Sequence, residues 1–176
     1  HKFTSLPLPP IAAALETAGL GPRADFIDTA TNPDLVKSMG IAANTLEGYL
    51  FPETYHFPKN IAPEKIAAAM VQRFWEVMTP QWQKRGQEIG FSVHEVVTLA
   101  SIIEKETGAA FERPLISSVF HNRLKRKMRL ETDPTVIYGL HEFDGNLTRK
   151  HLQTKTPYNT YKIRGLPPGP IASPGR

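Results

Sequence analysis

The clearest hydrophobic periodicity in the chain follows Pro63. There Ile66, Met70, Phe74 and Val77 recur three and four positions apart, as along one face of an α-helix. A second stripe, Val96, Leu99, Ile102 and Ile103, predicts a helix over 93–107 that closes at Gly108. Ser92 and Glu95, three apart just before that stripe, form a capping box at its start. Shorter helices are predicted elsewhere. Pro9-Pro10 opens one through 11–18 with Gly19 as its C-terminal cap, and another covers 23–29. Asn32-Pro33 supplies an N-cap and first-turn proline for 34–39, closed by Gly40. Thr79-Pro80 restarts the chain as a helix ending near 86–90. Pro114 leads a helix through Leu115, Ile116, Val119, Phe120 and Leu124, and Asp133-Pro134 reads as N-cap plus first-turn proline for a short one through Tyr138. Alternating strand patterns are few. The expected class is α+β but predominantly α, with short irregular or β segments. Residues 1–45 read as a small helical N-terminal region and 46–176 as the main domain.

Composition narrows the function more than the fold. Hydrophobic residues make up 40% of the 176 positions and charged residues 22%, enough apolar material for a packed core. There is no cysteine, which excludes a disulfide framework, a thiolate metal site and a cysteine nucleophile. The six histidines lack metal-ligand spacing, since His94-Glu95 is not followed by a second histidine of a zinc-protease helix. No phosphate-binding glycine loop, dinucleotide fingerprint or nucleophile elbow occurs, so neither metal nor cofactor is expected. The formal net charge of +4 permits an anionic partner without selecting one. No apolar run reaches the ~18 residues of a membrane span. The chain begins at His1 instead of methionine and is read as a piece of something longer, any anchor lying outside it.

Two glutamates at the end of the 93–107 helix are the candidates for chemistry. Glu106 lies three and four residues beyond the paired isoleucines and continues their stripe. Glu104 sits about 200° around the helix from it and follows Val97, Ala100 and Ser101. Partial burial together with the negative end of the helix dipole is expected to raise the Glu106 carboxyl towards the range of a general acid. The competing reading is a solvated helix end paired with Lys105 or Arg113. The cluster Arg123, Lys125, Arg126, Lys127 and Arg129 suits phosphate contacts or, equally, a solvated helix terminus. No interleaved aromatics support base stacking, so a nucleic-acid-binding domain is the weaker alternative. Tyr158-Asn159-Thr160-Tyr161 precedes a tail in which Pro157 to Arg176 holds five prolines and three glycines. Tyrosine faces and amides suit a carbohydrate groove; a rigid wrap over the core accounts for them as well.

Several of these segments occur together in one known pattern. Ala100 to Thr107 (ASIIEKET), Val119 to Leu124 (VFHNRL) and Met128 to Gly139 (MRLETDPTVIYG), with Glu47 to Tyr55, Tyr158 to Tyr161 and Gly165 to Pro174, closely resemble the endolytic murein transglycosylase family, the YceG-like proteins. The resemblance covers roughly 47–175. It implies a lysozyme-like catalytic domain that cuts peptidoglycan glycan strands internally, between N-acetylmuramic acid and N-acetylglucosamine, leaving 1,6-anhydromuramyl ends without adding water. It also implies a single N-terminal anchor in the bacterial inner membrane, a periplasmic or extracytoplasmic catalytic domain, and work beside cell-wall synthases. It places the catalytic glutamate in Glu-Lys-Glu-Thr, taken as Glu106 with Glu104 as rival. The groove is expected to use Tyr158, Asn159, Thr160 and Tyr161, then Thr132, Asp133 and Thr135, with Glu53 and Asn122 in support. The resemblance makes the tail a groove wall and lets the basic cluster meet acidic stem peptides. A catalytically inactive peptidoglycan-binding module is the main alternative.

Overall fold

Pro63, whose φ is already helical and which has no N–H to leave unpaired, starts helix α4 (Pro63–Val77). Its predicted stripe turns inward: Ile66, Met70, Phe74 and Val77 are buried together with Ala67 and Val71. The computed structural model describes residues 1–176. Before α4 come α1 (Leu8–Thr17), α2 (Arg23–Ala30) and α3 (Pro33–Ser38), with α2 packed against α1, α3 and α4. After it come α5 (Pro80–Glu88), α6 (Val93–Glu106), a 3₁₀ turn (Ala110–Glu112), α7 (Arg113–Lys125), α8 (Asp133–Tyr138) and α9 (Arg149–Gln153). No helix is long and apolar enough to cross a membrane.

The chain forms two compact units, His1–Val97 with Ala172–Arg176 and Thr98–Ile171. The dividing line therefore falls within α6. The boundary expected at residues 45 and 46 lies inside the first unit, because one apolar cluster runs across it. Ile11, Leu15 and Val36 from before that point pack in the same cluster as Leu46, Tyr49, Leu50, Ile66 and Met70 from after it.

The expected β segments reduce to a single isolated antiparallel bridge between Lys2 and Thr54; no residue belongs to an extended strand. Residues 47–55 instead fold as an irregular aromatic segment. Tyr49 meets Phe74 edge-on, with ring centroids 5.0 Å apart at 85°. Burial raises the Tyr49 phenol well above its ordinary value, so it stays neutral, and its hydroxyl pairs with His94 Nδ1 at 2.7 Å.

Local capping chemistry explains most helix ends. Asn32 Oδ1 accepts from the backbone of Asp34 and Leu35, and Thr79 Oγ1 accepts from Trp82. The Ser92–Glu95 capping box closes in both directions, at 3.1 and 3.2 Å. Gly19 takes φ +76°, and Leu20 N–H returns to Leu15 O at 2.9 Å, which ends α1. The start of α1 is capped from a distance. Pro7 offers no side-chain acceptor there, and the Leu8 N–H points at both oxygens of the Glu47 carboxylate, at 3.0 and 3.1 Å. That negative charge at a positive helix end is 39 residues away in sequence.

Part of the tail lies inside and faces no groove. Gly169 to Ser173 are buried. In the second unit the Ile171 N–H donates to Ser101 Oγ at 3.0 Å. In the first, Ser173 accepts from Leu50 N–H at 3.2 Å and donates its own N–H to Leu6 O at 3.0 Å. Pro170 brings no N–H into this buried run, which leaves one donor fewer to satisfy.

Replacing Glu47 by alanine should orphan the Leu8 N–H and lower stability by about 1–3 kcal/mol. Urea unfolding measures this, and an unchanged midpoint would mean that α1 does not need the remote cap.

Candidate functional site

Helix α6 ends at Glu106, and what it buries decides which glutamate is sheltered. Val97, Thr98, Leu99, Ser101 and Ile102 are all buried, so the covered sector includes the 97/101 column that Glu104 continues. Glu104 is accordingly the sheltered carboxylate. Its side chain is 19% exposed and lies 3.6 Å from Arg113 Nη2. Glu106 is exposed, contrary to the expectation of partial burial. The chain leaves the helix at Thr107, so no further turn covers the Glu106 side chain.

Glu106 is nonetheless held. The Thr132 hydroxyl donates a hydrogen bond to its Oε2. Thr132 is the N-cap residue of α8, yet its side chain caps nothing there. Its hydroxyl is directed to Glu106 instead. The expected cap, Asp133, is the first helical residue and accepts the Tyr161 hydroxyl at 2.7 Å.

Thr132 itself is fixed by two buried threonines. Its N–H donates to Thr160 Oγ1 at 3.0 Å, and its carbonyl accepts from Thr135 Oγ1 at 2.9 Å. The Thr135 and Thr160 hydroxyls are 2.8 Å apart. The Thr160 hydroxyl also reaches the Thr132 carbonyl, at 3.3 Å, so either threonine can be the donor between the two hydroxyls. Glu131 N–H reaches Thr160 O at 3.2 Å, which joins the two segments once more.

Asn159 has no exposed surface. Its Nδ2 donates to the carbonyls of Leu152 and Thr154 at 3.0 and 2.7 Å, while Oδ1 accepts from Tyr161 N–H at 2.9 Å. Asn159, Thr160 and Thr135 therefore build the loop and offer no surface to a ligand. Tyr158 and Tyr161 are half-buried, and Tyr158 packs on Tyr138 with centroids 4.7 Å apart. Burial, then the Asp133 hydrogen bond, push the Tyr161 phenol up to about 12; Asp133, Glu131 and Glu106 add their negative charges to that effect. Tyr161 is thus a neutral donor among three carboxylates.

Of the supporting residues, Glu53 belongs to the first unit and lies 2.9 Å from Arg73 Nε. Asn122 is exposed on α7. Gly139, which the sequence shows only as the last residue of the 128–139 motif, matters here. A Cβ on it would stand 2.5 Å from Thr156 Oγ1 and 3.1 Å from Tyr158 Cβ, so only glycine lets the 156–158 loop pass.

Comparison with known proteins gives a consistent picture. The YceG-like family model matches residues 6–176. The chain is 42% identical over 155 residues to an endolytic murein transglycosylase of Bacillus subtilis, covering 87% of this chain and 42% of the relative. It is 32% identical over 154 residues to the endolytic murein transglycosylase of Streptococcus pneumoniae strain D39, covering 82% and 28%. It thus spans less than half the length of either. A solved YceG-like protein of Listeria monocytogenes superposes with a TM-score of 0.86 at 37% identity, over 99% of this chain and 62% of that one.

Thr160→Val should leave the buried Thr132 N–H without a partner and cost about 1–3 kcal/mol, whereas Thr160→Ser should keep most of the stability. Urea denaturation of both variants checks this; equal stability would remove the threonine network as the support of Thr132.

Proposed function

The chain belongs to the YceG-like family, and from that premise we propose that it cleaves murein glycan strands internally as a lytic transglycosylase. The bond broken lies between N-acetylmuramic acid and N-acetylglucosamine, in a lysozyme-like catalytic domain that works without a cofactor. The observation that carries the proposal is the last carboxyl of α6, that of Glu106, which is oriented through one oxygen only. Thr132 occupies Glu106 Oε2, which leaves Oε1 to exchange a proton with substrate.

In the proposed reaction, protonated Glu106 donates to the glycosidic oxygen as the bond to C1 of the muramyl sugar breaks and positive charge develops at C1. The C6 hydroxyl of the same sugar attacks C1, and the Glu106 carboxylate takes its proton. The bond lost is C1–O to the departing sugar, and the bond gained is C1–O6. No water enters, and the glutamate ends protonated as it began. A nucleophile already attached to the substrate replaces a bimolecular encounter with an intramolecular one. It also removes the need for a second carboxylate at a set separation. Substrate closing over the exposed Glu106 would supply the desolvation that the free protein does not. Tyr161 and Tyr158 are the groove faces in this reading, while the buried Asn159, Thr160 and Thr135 hold them in place.

Murein lies outside the bacterial cytoplasmic membrane, so the proposal puts the domain there, tethered to the inner membrane by one N-terminal helix and working beside the synthases that extend the strands. The relatives' names, which give murein as what those proteins act on, support the location at the wall; the tether and the synthases rest on the family resemblance.

Digesting purified glycan strands with the protein and its variants tests the chemistry. Glu106→Gln should lower the rate by about 10²–10⁴-fold, the range of a lost general acid, while Glu104→Gln remains active. Product masses should show anhydro ends. Reducing ends would mean hydrolysis, and a dead Glu104→Gln beside an active Glu106→Gln would move the acid. Strand binding without cleavage would leave only a binding module.

A further inference from the structure

The end of α7, the segment after it and Arg164 gather five cations around one hollow. Arg123, Arg126, Lys127, Arg129 and Arg164 line a cavity of about 390 Å³, and Glu131 shares its rim. The arginines that do form ion pairs lie elsewhere: Arg23, Arg73, Arg85 and Arg113. The wall is also built to shape. The Arg123 guanidinium donates to Leu130 O at 2.5 Å, which ties the end of α7 to the loop after it. The Met128 N–H returns to Arg123 O at 2.8 Å across Lys127, and both Lys127 (φ 57°) and Glu131 (φ 53°) are held in the left-handed region. Neither conformation is cheap for a side chain larger than glycine, so tertiary contacts must hold the turn.

Cations massed without counter-ions repel one another and raise the local potential, which suits an anionic ligand. Guanidinium forks match carboxylates and phosphates alike. Glu131 adds a second requirement. It makes no ion pair with the surrounding cations, and it opposes any anion beside it, carboxylate or phosphate, yet it offers a partner to an ammonium group. A ligand bearing several carboxylates and one amine satisfies the whole rim. The hollow is the size of an ordinary small-ligand site.

We propose that this pocket binds the short, carboxylate- and amine-bearing peptide that substitutes the muramyl residue of a murein strand, so that the domain prefers peptide-bearing strands to bare ones. The inference rests on the transglycosylase reading, and the positions agree with it. Glu131 is adjacent in sequence to Thr132, which holds Glu106. One segment therefore contributes both to the hold on Glu106 and to the rim of the pocket. The arginines set specificity in this proposal and take no part in the bond-breaking step.

A binding measurement keeps the test independent of cleavage. The protein is titrated with the synthetic peptide N-acetyl-L-alanyl-γ-D-glutamyl-L-lysine, whose one amine is that of the lysine side chain, with its Nε-acetylated form, and with inorganic phosphate at constant ionic strength, followed by NMR of the backbone amides. Saturable shifts are expected for the amides of residues 126–131 and 164. Arg126→Gln with Arg129→Gln should weaken tripeptide binding about tenfold or more, as expected for lost charge-assisted contacts. Glu131→Gln should weaken the free-amine peptide while leaving the Nε-acetylated one unchanged. Circular dichroism confirms that the variants fold. No saturation, shifts confined to other residues, or phosphate binding more tightly than the tripeptide would overturn the proposal, the last marking a phosphate or lipid-headgroup site. Tripeptide binding by a protein that leaves strands intact would keep this pocket and remove the proposed activity. Cleavage without tripeptide binding would do the reverse.

Discussion

The candidate site depends on one hydrogen bond, from the Thr132 hydroxyl to the Glu106 carboxylate. An exposed carboxylate at the end of a helix has many rotamers and no reason to occupy one of them. Thr132 removes that freedom at a cost visible in the structure. A threonine at an N-cap ordinarily stabilises its helix by about 1 kcal/mol through its side chain, and Thr132 forgoes that contribution. The loss is offset by contacts around the same residue. Thr160 takes its N–H, Thr135 reaches its carbonyl, and a fixed-φ proline starts the helix beyond it. Departure from an ordinary local preference in favour of a distant carboxylate is what a preorganised functional group looks like.

The helices were legible because their signals are local. Proline at the first turn, asparagine, serine and threonine caps, and glycine at φ +76° each act within a few residues, and so do the apolar stripes of α4 and α6. The stripe of α7 was less informative. Phe120 is buried, but Leu115 and Val119 are exposed, in line with an 85%-exposed Phe111 one turn earlier. Periodicity shows which residues share a face and not whether anything covers it.

What stayed illegible has a common cause. The cap of α1 by Glu47, the threonine network and the tail's attachments all pair groups far apart in sequence, and no short window contains both partners. The two glutamates show how this matters. Helical phase places Glu104 and Glu106 on different faces but does not reveal that the 97/101 column is buried too, so the more sheltered carboxylate proved to be Glu104. Asn159 and Thr160 were legible as special and not as internal; polar residues in a dense motif read alike whether they face a sugar or each other. The basic cluster gained meaning only when Arg164 and Glu131 joined it from other segments.

Membership of the YceG-like family and the geometry at Glu106 converge on one account, in which a threonine hydroxyl orients a lone acid for chemistry that needs no second carboxylate. The most direct test compares glycan-strand cleavage by Thr132→Ser and Thr132→Val. The account predicts that serine keeps most of the rate, while valine lowers kcat about tenfold or more with little change in KM, as expected when positioning in the transition state is lost. A valine variant as fast as the unsubstituted protein would contradict it.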